Sequence, residues 1–148
     1  GKVIYKKYFH IGVAVDTPHG LMVPKIRNAD KLGVKEIGQQ LRTTSKLCKE
    51  LKIDKKEFFG GSMTISSLGG IGGVTFFTPI INPPEVSILG VGKSYDKVMK
   101  SDGKFVTRKI LPISLSYDHR IIDGAEAARF SVHLSQSLGK DFAFKLAV

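Results

Sequence analysis

Along Leu111–Phe130 the hydrophobic period changes once and abruptly, which confines the chain to folds where a strand feeds a helix through a tight polar turn. Leu111, Ile113, Leu115 and Tyr117 alternate with Pro112, Ser114, Ser116 and Asp118, the period of a half-buried strand. Asp123, followed three residues later by Glu126, predicts a capping box that opens a helix presenting Ala127, Phe130, Leu134 and Leu138 on one face. His119 stands between the two elements, four residues before Asp123-Gly124. A histidine in a short connection between rigid elements can reach a ligand while its ring stays oriented, which a general base requires. Taken alone, the same histidine reads as a surface or structural residue, and Asp123 is fully employed as an N-cap.

Upstream, Tyr8–Val15 alternates as a strand, 16–20 is a turn and Leu21–Ile26 is apolar enough to pair back, so residues 8–26 predict a hairpin. His10 is then a strand residue and His19 a turn residue. From Val34, apolar positions at Ile37, Leu41, Thr44, Cys48 and Leu51 recur at helical spacing, with Cys48 packed inside. Asp54-Lys55-Lys56-Glu57 predicts one capped helical turn, after which Phe58 and Phe59 bury and Gly60-Gly61 breaks the chain. Met63–Ser66 reads as a strand that runs into glycines at 69, 70, 72 and 73, a density suited to close backbone approach but lacking a P-loop lysine. After the rigid Asn82-Pro83-Pro84 turn, residues 85–91 read as a central buried strand. Lys93–Arg108, with Asp102-Gly103, reads as an exposed hairpin, and Gly139 closes the last helix ahead of a short mixed tail. Strands outnumber helices and the helices bracket them. The fold class is therefore α/β, a two-layer sandwich in which helices cover one mixed sheet.

Composition narrows the function. A chain of 148 residues, 42% apolar, with a mean hydropathy near zero, suits one domain with an ordinary core and holds no apolar run able to span a membrane. The single cysteine allows no internal disulfide, and no basic-then-apolar leader opens the chain, so a reducing compartment is expected. The formal charge of +10 implies attraction to a polyanion.

SYDHRIIDGA resembles the H-x-x-x-D-G active-site motif of the dihydrolipoyl acyltransferases, the core components of the 2-oxo acid dehydrogenase complexes, which share their fold with chloramphenicol acetyltransferase. Two further segments match in the family's order: GVAVDTPHGLMVPKI, and GGSMTISSLGGIGG followed by FTPIINPPEVSILGVGK. DGAEAARF resembles the acetyl-transferring members of bacterial pyruvate dehydrogenase more than the succinyl-transferring ones. The resemblance implies residues 1–148 as the C-terminal portion of a single catalytic domain, without the domain's N-terminal part and without a lipoyl or subunit-binding domain. It also implies coenzyme A as substrate, with the lipoyl group carried on a domain outside this chain. The implied setting is a homotrimer built into a larger core, with lipoyl domains and dehydrogenase components as partners, in the bacterial cytoplasm or the mitochondrial matrix.

The same resemblance implies His119 as general base, Ser66 as the oxyanion-stabilising hydroxyl and Asp123 as an orienting residue, the base coming from one subunit and the hydroxyl from the next. An imidazole with an ordinary pKa near about 6.5 can take a proton from an alkyl thiol near about 8.5 at modest cost. A Ser-His-Asp triad of Ser66 or Ser116 with His119 and Asp118 ranks below this, because transfer between two thiols needs no acyl-enzyme and no G-x-S-x-G elbow is present. A metal site from His119, Asp118 and Asp123 ranks lower still, since adjacent residues on an extended chain point apart. A basic nucleic-acid binder would explain the charge but not three ordered motifs. No nucleic-acid or membrane partner is expected; a catalytically silent assembly core and a transferase of another acyl group, succinyl or branched-chain, remain the alternatives.

Overall fold

The change of period at Asp118 does separate a strand from a helix. In the computed structural model, which describes residues 1–139 and Phe142, strand β9 (Ile113–Tyr117) ends in a turn and helix α2 (Gly124–Ser137) follows. The elements before it are β1 (Ile11–Val13), β2 (Val15–Thr17), β3 (Gly20–Met22), β4 (Lys25–Ile26), helix α1 (Val34–Lys49), β5 (Met63–Ser67), β6 (Ser87–Val91), β7 (Tyr95–Ser101) and β8 (Lys104–Ile110). Five strands form a mixed sheet in the order β4-β1-β5-β6-β9, with β1, β5 and β6 parallel and both edge strands antiparallel to their neighbours. Helix α1 packs beside edge strand β4 and α2 beside edge strand β9. The α/β expectation holds.

The predicted hairpin over 8–26 is two ladders: β1 pairs β4, and β2 pairs β3 around the Pro18-His19 turn. His10 lies just before β1, and its Nδ1 accepts the Asn28 N–H at 3.0 Å. The 93–108 hairpin forms as β7–β8, with Asp102 and Gly103 at φ 51° and 78°, the left-handed pair that a tight hairpin turn requires. Strand β6 is buried over its three central residues, Ile88, Leu89 and Gly90. Cys48 is fully buried on α1, and burial raises its thiol pKa, so it is inert packing.

Several apolar expectations fail for local reasons. Helix α1 stops at Lys49: Leu51 adopts φ 55°, its N–H bonds the Cys48 carbonyl and the Lys52 N–H bonds the Leu47 carbonyl, a Schellman cap with leucine in the place glycine usually takes. Leu51 therefore leaves the apolar stripe and is exposed. Leu111 is also exposed. Strand β9 begins only at Ile113, because Pro112 has no N–H to give and offers its carbonyl to Gly92 instead. Phe59 is 70% exposed rather than buried, while Phe130 on α2 and Leu138 at its C-cap remain open, leaving Ala127 as that helix's buried contact. Residues 113–117 are all half-buried, without the in-and-out alternation their sequence predicts. The expected C-terminal tail lies outside the described residues beyond Gly139, apart from Phe142.

Candidate active site

The turn that carries His119 is built by its neighbours. The Asp118 N–H donates to the Val86 carbonyl at 2.8 Å, so pairing with the chain before β6 runs one residue past β9. The Asp118 carbonyl then accepts the N–H groups of Ile121 and Ile122, both at 3.0 Å, and reverses the chain. Arg120 folds back on Asp118, with Nε to Oδ1 at 2.9 Å and Nη2 to Oδ2 at 2.6 Å. Those side-chain bonds, the Arg120 backbone N–H on Oδ1, and the guanidinium charge hold the Asp118 carboxyl down to about 2. Asp118 thus has Arg120 as its partner and does not orient the histidine, which removes the acid from the rival triad.

His119 is exposed, and its ring leans on Tyr117 with centroids 5.6 Å apart at 37°. Its Nε2 lies beside Gly124, the first residue of α2. Asp123 caps that helix by accepting the Glu126 N–H at 2.8 Å, the Asp123 half of the predicted capping box; among the described residues the returning Glu126 half is not formed. Among the described residues Asp123 makes no ion pair.

Ser66 lies on β5, paired with Gly90 of β6, which in turn pairs with Ser114 of β9. The row Ser66–Gly90–Ser114 is at one end of the sheet, whereas β9 runs away from it toward Tyr117 and His119. From Ser114 to Asp118 are four extended residues, about 13 Å of strand, with two inter-strand spacings of about 4.8 Å across to β5 in addition. Within one chain Ser66 and His119 are therefore at opposite ends of the sheet and share no site. Ser116 is nearer the histidine, in the row Thr64–Ile88–Ser116.

At the His119 end lies a buried cluster that the sequence reading passes over. Lys25 Nζ meets Glu85 Oε1 at 2.5 Å, with side-chain exposures of 2% and 3%, and Thr64 Oγ1 donates to Glu85 Oε2 at 2.5 Å. The cluster spans edge strand β4, strand β5 and the entry to β6, and two glycines leave it room. A Cβ on Gly61 would stand 1.9 Å from Glu85 Oε1, and one on Gly12 would be 2.7 Å from Lys25 Nζ. The signal was present as a lysine and a glutamate inside otherwise apolar runs, since charges there bury only when paired. Among the described residues no group of three or more His, Cys, Asp or Glu side chains is placed to hold a metal, and no helix is long and apolar enough to cross a membrane.

Residues 1–143 match the model of the 2-oxoacid dehydrogenases acyltransferase catalytic domain. The chain belongs to this family. The dihydrolipoyllysine-residue acetyltransferase component of the pyruvate dehydrogenase complex of Cupriavidus necator is 54% identical over 136 residues, 92% of this chain and 24% of that protein. The structure of Azotobacter vinelandii dihydrolipoamide acetyltransferase, studied for the role of a serine, a histidine and an asparagine in its catalytic mechanism, superposes with a TM-score of 0.89 at 49% identity. The cubic core of the pyruvate dehydrogenase multienzyme complex superposes equally well, TM-score 0.89 at 48% identity. Both alignments cover 96% of this chain and 58% of the solved chain. The chain thus spans about a quarter of the length of the curated relative, and its fold is that of the family's catalytic cores, chloramphenicol-acetyltransferase-like.

Proposed function

We propose that residues 1–148 belong to one acyltransferase catalytic domain that moves an acetyl group between dihydrolipoamide and coenzyme A, in the core of a pyruvate dehydrogenase complex of the bacterial cytoplasm. We infer further that each active site is completed by two copies, His119 from one and Ser66 from its neighbour, in a trimer that assembles further. The observation carrying this reading is the separation of those two residues at opposite ends of one sheet, which leaves a second copy as the source of the missing partner. His119 takes the proton from the coenzyme A thiol as its sulfur attacks the thioester carbon of the acetylated lipoyl arm. The tetrahedral oxyanion accepts a hydrogen bond from Ser66, and collapse expels the lipoyl thiolate, which recovers the proton from His119. Asp123 stands four positions after His119, the separation of histidine and asparagine in the Azotobacter enzyme, and caps the α2 N-terminus.

Acetyl transfer from acetyl-CoA to dihydrolipoamide, measured beside a sizing column, tests the reading. An assembled protein that transfers nothing would instead be the silent core. A faster rate with succinyl-CoA than with acetyl-CoA would reassign the acyl group.

Counting back from His119 by the Azotobacter serine–histidine separation lands on Ser67, and one inserted residue moves it to Ser66. The match to the family's Thr-Ile-Ser hydroxyl favours Ser66. A bond that strengthens only as oxyanion charge develops acts on kcat more than on KM. Ser66→Ala should therefore cost about 2.7–4 kcal/mol of transition-state stabilisation, and Ser67→Ala much less. Equally mild effects would remove the oxyanion role from Ser66.

The positive charge serves coenzyme A in this reading. Acetyl-CoA should raise the Tm of the assembled protein at physiological salt, as native-state binding requires. Duplex DNA should not, because its binding falls by about 10³-fold or more between 50 and 200 mM salt. Protection by DNA with none from acetyl-CoA would overturn the enzyme reading.

A further inference from the structure

The β7–β8 hairpin takes no part in this chemistry, and its side chains are arranged for another purpose. It is a two-stranded sheet of its own; neither strand pairs with the five-stranded sheet. Residues directly opposite one another share a face. One face carries, from base to tip, Tyr95 with Ile110, Lys97 with Arg108, Met99 with Val106, and Ser101 with Lys104. Two exposed cations thus stand side by side, with a third at the tip and a sulfur and a methyl pair between them. The other face pairs Asp96 with Lys109 in a 3.1 Å ion pair. That face also carries Lys100 opposite Phe105, but its directly opposed charges are of opposite sign, whereas on the first face they are like-signed and destabilise the isolated hairpin. Among the described residues no carboxylate pairs with Lys97, Arg108 or Lys104.

We propose that the face bearing Lys97, Arg108 and Lys104 docks an acidic polypeptide segment of another protein or domain, one whose carboxylates alternate with small apolar side chains. The carboxylates would neutralise the like-charged pair and the tip lysine, and the apolar side chains would cover Met99 and Val106. A second copy of this chain is the poorer occupant, since no two of its 13 acidic residues stand within two positions of each other. Nucleic acid is poorer too. The most exposed ring of the hairpin, Phe105, projects from the opposite face, and Tyr95 is engaged edge-on with Phe76, so the cations have no free stacking platform beside them.

The test is fluorescence anisotropy on the whole protein with a short labelled peptide alternating Glu and Val, beside a matched Lys-Val peptide and an oligothymidylate. The Glu-Val peptide should bind saturably and the Lys-Val peptide should not. Lys97→Glu should weaken that binding at least about tenfold, because it removes one cation and occupies Arg108 with a cross-strand partner. The same pairing should keep the hairpin folded, read as an unchanged or raised Tm. Lys35→Glu, an equal charge change on α1, should leave peptide binding unaltered. Equal weakening by both variants would reduce the effect to net charge and overturn the proposal, as would absence of saturable binding. Oligothymidylate binding that Lys97→Glu abolishes, without peptide binding, would assign the face to nucleic acid. A shift in assembly size on Lys97→Glu would make it a contact between copies, and the proposal would fall.

Discussion

Glu85→Ala should lower the free energy of unfolding by about 3–5 kcal/mol, because it leaves Lys25 charged, buried and without its carboxylate. It also removes the acceptor of the Thr64 hydroxyl, on a residue only 1% exposed. Lys25→Ala should cost a similar amount by stranding the opposite charge. The double variant Lys25→Met, Glu85→Gln keeps an acceptor for Thr64 and fills the lysine's volume with an apolar chain, so it should regain most of the loss. Glu57→Ala provides the contrast: its 2.9 Å pair with Arg27 has side chains 37% and 28% exposed, and such a pair is worth at most about 1 kcal/mol. Urea unfolding at one fixed protein concentration measures all four. Equal losses for Glu85→Ala and Glu57→Ala would show that the buried charges are hydrated. The single variant should also loosen the His119 turn, since Val86, whose carbonyl receives the Asp118 N–H, is the residue next to Glu85.

Periodicity and turn chemistry made the elements legible, because both are local. Asp123 with Glu126 marked the start of α2, Asp102-Gly103 marked the β7–β8 turn, and the helical spacing from Val34 to Cys48 marked α1. The end of α1 was hidden, because Leu51 carries out a glycine's task and only its backbone bonds reveal it. Phe59 and Leu111 were misplaced for a related reason: apolarity says what a side chain would gain by burial, not whether a neighbour is there to bury it. At the site, the resemblance supplied His119, Ser66 and Asp123, but no spacing along the chain shows that β9 runs opposite to β5. That direction separates Ser66 from His119, and it comes from register alone. The Lys25–Glu85–Thr64 cluster joins residues 60 and 21 positions apart, beyond the reach of any local pattern.

His119→Ala should lower kcat by about 10²- to 10⁴-fold in the assembled protein, the usual worth of a positioned base, while coenzyme A affinity changes little. The geometry says which neighbour should not matter. A catalytic triad would route orientation through Asp118, and removing a triad aspartate costs about 10⁴-fold in kcat. Here the Asp118 carboxylate is committed to Arg120, and its folded pKa of about 2 is below the ordinary value of about 3.9. A carboxyl depressed in the folded state contributes stability that is present above its unfolded pKa and lost as pH falls through the folded one. The Asp118–Arg120 pair therefore persists throughout the neutral range and begins to fail only below about pH 4. Any ionisation in the kcat/KM profile between about pH 5 and 8 then belongs to a group other than Asp118. Asp118→Asn should leave that ionisation in place and cost far less than His119→Ala. Its remaining cost should come from a less ordered turn, because the exposed Arg120 side chain loses the carboxylate that holds it. A 10⁴-fold loss in Asp118→Asn with Ser66→Ala near wild type would restore the triad, with Ser116 as its nucleophile, and remove the need for a second subunit. Near wild-type turnover in His119→Ala would leave the family match without its base.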